Sequence, residues 1–433
     1  MFKIPAKETA IACKLFAYSL IIATSYIAAR TVGDSLFLSQ IGNEQLALVY
    51  VMAGLGTAVI AGLWYLATRK LSVTLAIQLS SAGFAALTLL AWCLLPTFGT
   101  SFWLLACIYL LAEVKGCINA INIVSALNTK LGRNSSRMSW AFVGLAAPIA
   151  AAVIGGVLAA ESQVLALRDW LVLIVCLDLL GCFIGIALSR EANVNQSQFR
   201  IGKFTIRQRP HRRAGKTYVS AIQFQKWIGI LISAKVIVLT IVSFEWKSSA
   251  NSYFDGQSAQ LVRFFGIYYG AVGIATVAFQ LFVTSRILRN RNFHTPLMFM
   301  PIGVSLFATV FFFGAAPLVL LIATTGAKAM DSWRRSIHDT SINLLYTRIM
   351  RGNRRRAISI NNGLIKPISE VAAAIVIYVG ALQIHRPLLV IVTIVWLFSA
   401  IKLCRLIRAN KKQMKPVNRS WNNQKLARLE PKV

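Results

Sequence analysis

Apolar residues run through the 433-residue chain in twelve long, nearly unbroken stretches separated by polar connections. They cover residues 12–38, 46–67, 73–95, 101–126, 139–160 and 169–189, then 224–243, 264–285, 295–314, 316–345, 362–382 and 387–406. A bilayer core of about 30 Å takes about 20 residues of helix to cross. Each stretch comes close to or exceeds that length. Sheets open to lipid are excluded because their edge N–H and C=O groups go unsatisfied there, and the runs are too long and continuous for barrel strands. The pattern predicts an all-α membrane protein with twelve transmembrane helices.

Composition agrees. Hydrophobic residues make up 57% and charged residues 14%, against about 45–50% and about 25% in soluble domains. A soluble globular enzyme and a disordered chain are both excluded. The net charge of +32 would indicate nucleic acid in a soluble protein. Here its distribution decides. With the amino terminus placed in the cytoplasm, the inner segments and the span ends bordering them hold 35 of the 46 Lys and Arg. The outer loops hold four, Arg168, Lys247, Arg263 and Arg386, and the spans hold the rest. This asymmetry sets the topology: both termini are expected in the cytoplasm and no nucleic-acid partner is needed. Residues 1–30 do not read as a cleaved signal peptide, since the apolar run is too long and no small-residue cleavage site precedes a soluble domain. Seven cysteines lie in or beside apolar runs, none in a zinc-binding spacing; they are expected as free thiols. The four His are scattered, so no metal site is expected.

The longest connection, residues 190–225, is polar and basic and divides the spans six and six. The expected organisation is a first half at 1–189, a cytoplasmic linker at 190–225, a second half at 226–406 and a basic cytoplasmic tail at 407–433 resting on anionic lipid or disordered. An internal repeat supports two halves. Leu127-Asn128-Thr129-Lys130 resembles Leu345-Tyr346-Thr347-Arg348, which lies 218 residues on. Gly144-Leu145 and Pro148 recur 219 residues on as Gly363-Leu364 and Pro367. Parallel six-helix halves resemble the major facilitator architecture.

An ionisable group at mid-membrane costs at least about 2.5–3.5 kcal/mol on insertion scales, so each such group marks a cavity, a partner or a site. Arg30 and Asp34 are four apart on the first span and share a face; a structural ion pair and a cavity-lining pair both remain open. Glu113 and Lys115, two apart on the fourth span, point to different faces and need separate partners. Lys235 interrupts the seventh span. The tenth span carries Lys328, Asp331, Arg334, Arg335, His338 and Asp339, and Lys328, Asp331, Arg335, His338 and Asp339 recur at spacings of three and four along one face. Its opposite side is apolar, which fits a helix lining a watery cavity or an internal salt-bridge network. Arginines there suit a phosphate or carboxylate, which a guanidinium binds bidentately. Lys366 opens the eleventh span and either snorkels or faces the cavity, with Glu370 at i+4.

The segment Arg30-Thr31-Val32-Gly33-Asp34-Ser35-Leu36-Phe37-Leu38-Ser39, followed by Ile41-Gly42, resembles the first helix of the ATP/ADP translocase family of plastids and intracellular bacteria. Trp246-Lys247, Val272-Gly273-Ile274-Ala275-Thr276, and the run from Arg356-Ala357 to Asn362-Gly363-Leu364-Ile365-Lys366 are similar to its seventh-, eighth- and eleventh-helix regions. The resemblance spans nearly the whole chain. It implies four membrane charges tied to nucleotide exchange. Glu113 and Lys366 match two of them. Gly33 stands in place of the first-helix lysine, and the seventh-helix acid falls near Ser243, with Glu245 two positions away.

Phosphate-binding loops of nucleotide-hydrolysing enzymes are absent, as is any catalytic constellation. No enzyme activity, catalytic residue or cofactor is expected. The expectation is a secondary transporter, an antiporter on the resemblance, for an anionic metabolite such as ATP, ADP or another phosphorylated compound, in a bacterial inner membrane. Its substrate-binding residues would be Arg30, Asp34, Glu113, Lys235, Lys328, Asp331, Arg334, Arg335 and Lys366. Two alternatives stay open: a transporter-like scaffold docking a protein partner on its basic cytoplasmic loops, and a proton-coupled exporter of an organic compound.

Overall fold

The computed structural model describes residues 6–68, 71–127, 130, 137–161, 164, 166–189, 215–281, 294–312, 316–334, 342, 361, 365–379 and 387–406. The linker from 190 to 214, the tail from 407, and Arg335, His338, Asp339 and Arg386 lie outside them. The described residues form helices and contain no strand. In chain order these are α1 (Ala6–Gln40), α2 (Leu46–Thr68), α3 (Val73–Phe98), α4 (Phe102–Ala126), α5 (Arg137–Gly144), α6 (Ala146–Glu161), α7 (Leu167–Ser189), α8 (Gly215–Tyr253), α9 (Ser258–Phe279), α10 (His294–Phe312), α11 (Pro317–Arg334), α12 (Lys366–Val379) and α13 (Pro387–Leu406). Nine spans among the described residues are long and apolar enough to cross a membrane. α10, α11 and α12 stand where the ninth, tenth and eleventh spans are expected.

Local chemistry sets the helix ends. Ser72 caps α3 by accepting the Leu75 N–H at 3.2 Å. Gly42 carries φ 83° in the turn from α1 to α2, and Asp255 and Gly256 carry φ 49° and 71° between α8 and α9, which is backbone that glycine adopts without strain. The fifth apolar stretch divides into α5 and α6 at Leu145.

Two boundaries differ from the sequence expectation. α8 begins inside the expected linker and runs on to Tyr253, and α9 starts at Ser258 rather than 264. Lys247 and Arg263, expected in outer loops, are therefore helical. Lys247 is fully buried and Arg263 is exposed. Hydropathy falls at Glu245 and Lys247, so a window ends the span there. The helix continues because a distant residue pairs with Lys247.

α1 packs on α4, α6 and α7, and α8 packs on α11 and α12. α8 is the most enclosed span: 78% of its apolar window is buried, against 50% or less in the others. Leu63, Phe183, Ile274, Ile322 and Ile394 point outward and remain exposed, as lipid-facing side chains do. α2 packs on α12 and α6 on α9. The second of these contacts is a glycine seam. A Cβ on Gly155 would lie 2.3 Å from the Gly270 nitrogen, and one on Gly273 would lie 2.5 Å from the Ala152 nitrogen. Small residues let two backbones touch where lipid gives no hydrophobic drive to associate. Gly155→Ala is expected to destabilise the protein by about 1–3 kcal/mol through overpacking. Gly156→Ala, which meets nothing within 4 Å, is expected to leave thermal unfolding in detergent unchanged or slightly raised.

Candidate functional site

The charges expected in the membrane resolve into four ion pairs that differ in exposure. Lys115 on α4 reaches Asp178 on α7 at 2.6 Å and donates to the Ser25 hydroxyl on α1 at 2.8 Å. Ser25 donates in turn to the other Asp178 oxygen at 2.7 Å. The side chains of the pair are 1% and 4% exposed. It ties α1, α4 and α7 together and is closed to ligands.

Asp34 on α1 accepts from the Lys247 ammonium on α8 at 2.6 Å. Lys247 also donates to the Tyr109 hydroxyl on α4 at 2.7 Å. Its nitrogen stands 4.7 Å from the centre of the Tyr109 ring and 5.1 Å from that of Tyr50 on α2. Aromatic faces attract a desolvated cation, which makes this apolar pocket tolerable for a lysine that is 0% exposed.

The other two pairs are reached by water. Arg30 lies one turn before Asp34. Its Nη2 meets Glu113 at 3.1 Å, with side chains 20% and 27% exposed. Its Nη1 donates to the Tyr26 hydroxyl at 2.6 Å, and its Nε lies 4.0 Å from Asp34. Tyr26 has room because position 116 is glycine, where a Cβ would run into the Tyr26 ring. On α11, Lys328 meets Asp331 at 3.1 Å, with side chains 10% and 17% exposed, and donates to the Ser243 hydroxyl on α8 at 2.6 Å. Its nitrogen lies 5.8 Å from the Trp246 ring. Trp246 donates to the Thr325 hydroxyl at 3.2 Å and packs on Tyr268 at 4.5 Å, whose hydroxyl is 3.0 Å from that of Ser332. Residues 243–247 of α8 thus contact both the α1–α4 charges and the α11 charges.

Of the expected substrate-binding residues, Arg30, Asp34, Glu113, Lys328 and Asp331 join these pairs. Lys235 is buried on α8, about 12 Å of helix before Ser243. Lys366 is exposed at the first residue of α12. The side chain of Arg334 and the whole of Arg335 lie outside the described residues. Glu113 and Lys115 have separate partners. Lys247, Asp178, Tyr109 and Tyr26 were missed by the sequence reading. Asp178 obeys the same signal that singled out Glu113, a charge inside an apolar run.

No protein-family model matches the chain, and no curated protein matches it. Solved structures do. A D-xylose–proton symporter superposes with a TM-score of 0.65 at 12% identity over 91% of this chain and 97% of that one. The chain has the major facilitator fold. The inward-open xylose transporter XylE from E. coli gives 0.61 at 10% identity over 92% and 96%. The nucleoside transporter NupG gives 0.58 at 14% over 92% and 97%. Within this major facilitator frame, the Lys115–Asp178 pair braces the bundle formed by α1, α4 and α7. Breaking a buried pair from one side leaves an uncompensated charge, which costs about 3–5 kcal/mol, whereas removing both partners is often neutral. Lys115→Met is therefore expected to lower the unfolding temperature sharply, and Lys115→Met with Asp178→Leu to recover most of the loss.

Proposed function

We propose that the chain is a secondary transporter of an anionic metabolite, with nucleotides and other phosphorylated compounds as first candidates, working by alternating access between a half at 1–189 and a half at 226–406. The observation that carries this is the pair of water-reachable cations inside the fold. Arg30 and Lys328 are each held by a carboxylate, Glu113 and Asp331, that a substrate anion can replace. A binding site for a transported solute needs such exchangeable partners; a sealed pair does not supply them. The structural neighbours support the reading, being in their own descriptions a xylose–proton symporter and a nucleoside transporter.

The internal repeat supports the assignment of halves. Asp331 lies 218 residues after Glu113 and Ser243 lies 213 after Arg30, close to the repeat offset. The Arg30–Glu113 pair of the first half thus has its counterpart in the Ser243–Lys328–Asp331 cluster of the second. The ATP/ADP translocase resemblance bears on the same helices. It implies a first-helix lysine and a seventh-helix acid, and this chain has Asp34 on α1 and Lys247 on α8, the same two helices with the signs exchanged. Because the described charges come in balanced pairs, an anion taking Arg30 frees Glu113 to accept a coupling proton. Arg334, Arg335, Lys235 and Lys366 add positive charge to the proposed site. The proposed location is a bacterial inner membrane with both termini in the cytoplasm.

Proteoliposomes carrying the protein are expected to take up at least one labelled compound from a set of ATP, ADP, sugar phosphates and dicarboxylates. A charge-assisted hydrogen bond contributes about 1.5–3 kcal/mol. Arg30→Gln and Lys328→Met are therefore each expected to lower that uptake by about tenfold or more, with folded protein recovered. Undiminished uptake by both variants contradicts the site.

A further inference from the structure

Asp34 and Lys247 differ from the other pairs in position as well as in burial. The pair joins α1 to α8, the first helix of each proposed half. Asp34 lies six residues before the end of α1 and Lys247 six before the end of α8, about 9 Å of helix in each case. Both are therefore close to the end of the bundle that carries the turn at 41–45 and the turn at 254–257. The same end holds two more bonds across the same divide. The Asn43 amide donates to the Ser248 carbonyl at 3.4 Å and to the Ser252 hydroxyl at 3.3 Å. Exposure rises away from this end. Lys247 and Asp34 are 0% and 3% exposed, whereas Arg30, one turn deeper, and Glu113 are 20% and 27% exposed. Water reaches the charges from the opposite end of the bundle and stops at the pair.

We infer that the Asp34–Lys247 ion pair, with the Tyr109 hydroxyl on the same ammonium, is a lock that holds α1 against α8 and shuts the cavity at the end carrying the 41–45 and 254–257 turns. The inference rests on the alternating-access reading, in which that end must also open. The surroundings allow the lock to release without stranding a charge. The second Asp34 oxygen has no hydrogen-bond partner, and Arg30 Nε already lies 4.0 Å from it. On opening, Asp34 turns to Arg30 on its own helix, and Lys247 meets the water that enters. Asp178 has no second cation at ion-pair distance among the described residues, so the Lys115–Asp178 pair has no such exchange and remains a brace. Position supports the contrast. The brace joins helices within one half, and the lock spans the two.

The test uses the full-length protein with its native cysteines replaced and spin labels at Glu44→Cys and Gln257→Cys, exposed positions on the two turns. With Asp34 and Lys247 intact, a short label-to-label distance is expected to dominate. Asp34→Asn and Lys247→Gln are each expected to shift the major population to a longer distance. The exchanged variant, Asp34→Lys with Lys247→Asp, is expected to bring the short distance back. Single variants that fold and keep the short distance overturn the lock and leave the pair as a brace. If the single variants do not fold, the exchanged variant decides: a short distance supports the lock and a long one overturns it. Uptake is measured separately. Absent uptake with a responsive lock counts against the transport reading and not against the lock.

Discussion

A charge inside a membrane bundle is tolerable only where another charge or water meets it, and that constraint organises this molecule. Each of the four described pairs draws together helices distant in sequence. Lys115–Asp178 binds α4 to α7, Arg30–Glu113 binds α1 to α4, and Asp34–Lys247 binds α1 to α8. Lys328, paired on its own helix with Asp331, reaches across to Ser243. The degree of burial then separates their roles. The driest pair with no alternative partner holds one bundle together. The dry pair at one end of the bundle, with a spare cation one turn away, is suited to breaking and re-forming. The two wetter pairs are where a solute can compete.

The apolar contacts do a complementary job. The seam of α6 on α9 is built from glycines whose backbones touch, with no long side chains between them to interdigitate. A smooth, close contact lets two bundles roll over one another while staying packed. The polar contacts at the 41–45 end give that motion a stop. The aromatic residues Tyr50, Tyr109 and Trp246 surround the ammonium groups of Lys247 and Lys328, lowering the cost of holding cations away from water without fixing them permanently.

The fold class was legible because hydropathy is a local signal repeated along the chain. Arg30, Glu113, Lys328 and Asp331 were legible for the same reason, each interrupting an apolar run. Their partners were not. Asp34 was expected to pair with Arg30 at i+4, yet its short contact is to Lys247, 213 residues away. Lys247 was assigned to an outer loop because the local window cannot see the carboxylate that keeps it inside the helix. Tyr109 and Tyr26 carry no charge and so raised no signal, although they orient Lys247 and Arg30. The tenth-span stripe was legible as a polar face, and its described part, Lys328 and Asp331, forms the expected contact along that face.

The central claim is that Arg30 and its partners bind a solute anion. Thermal unfolding of the purified protein, with and without nucleotides, sugar phosphates and carboxylates, tests it most directly. A ligand at about 100 times its dissociation constant adds about 2.7 kcal/mol of stability. The account predicts that at least one of these anions raises the unfolding temperature of the wild-type protein and leaves that of Arg30→Gln unmoved. An equal rise in both proteins, or no rise with any of the anions, contradicts it.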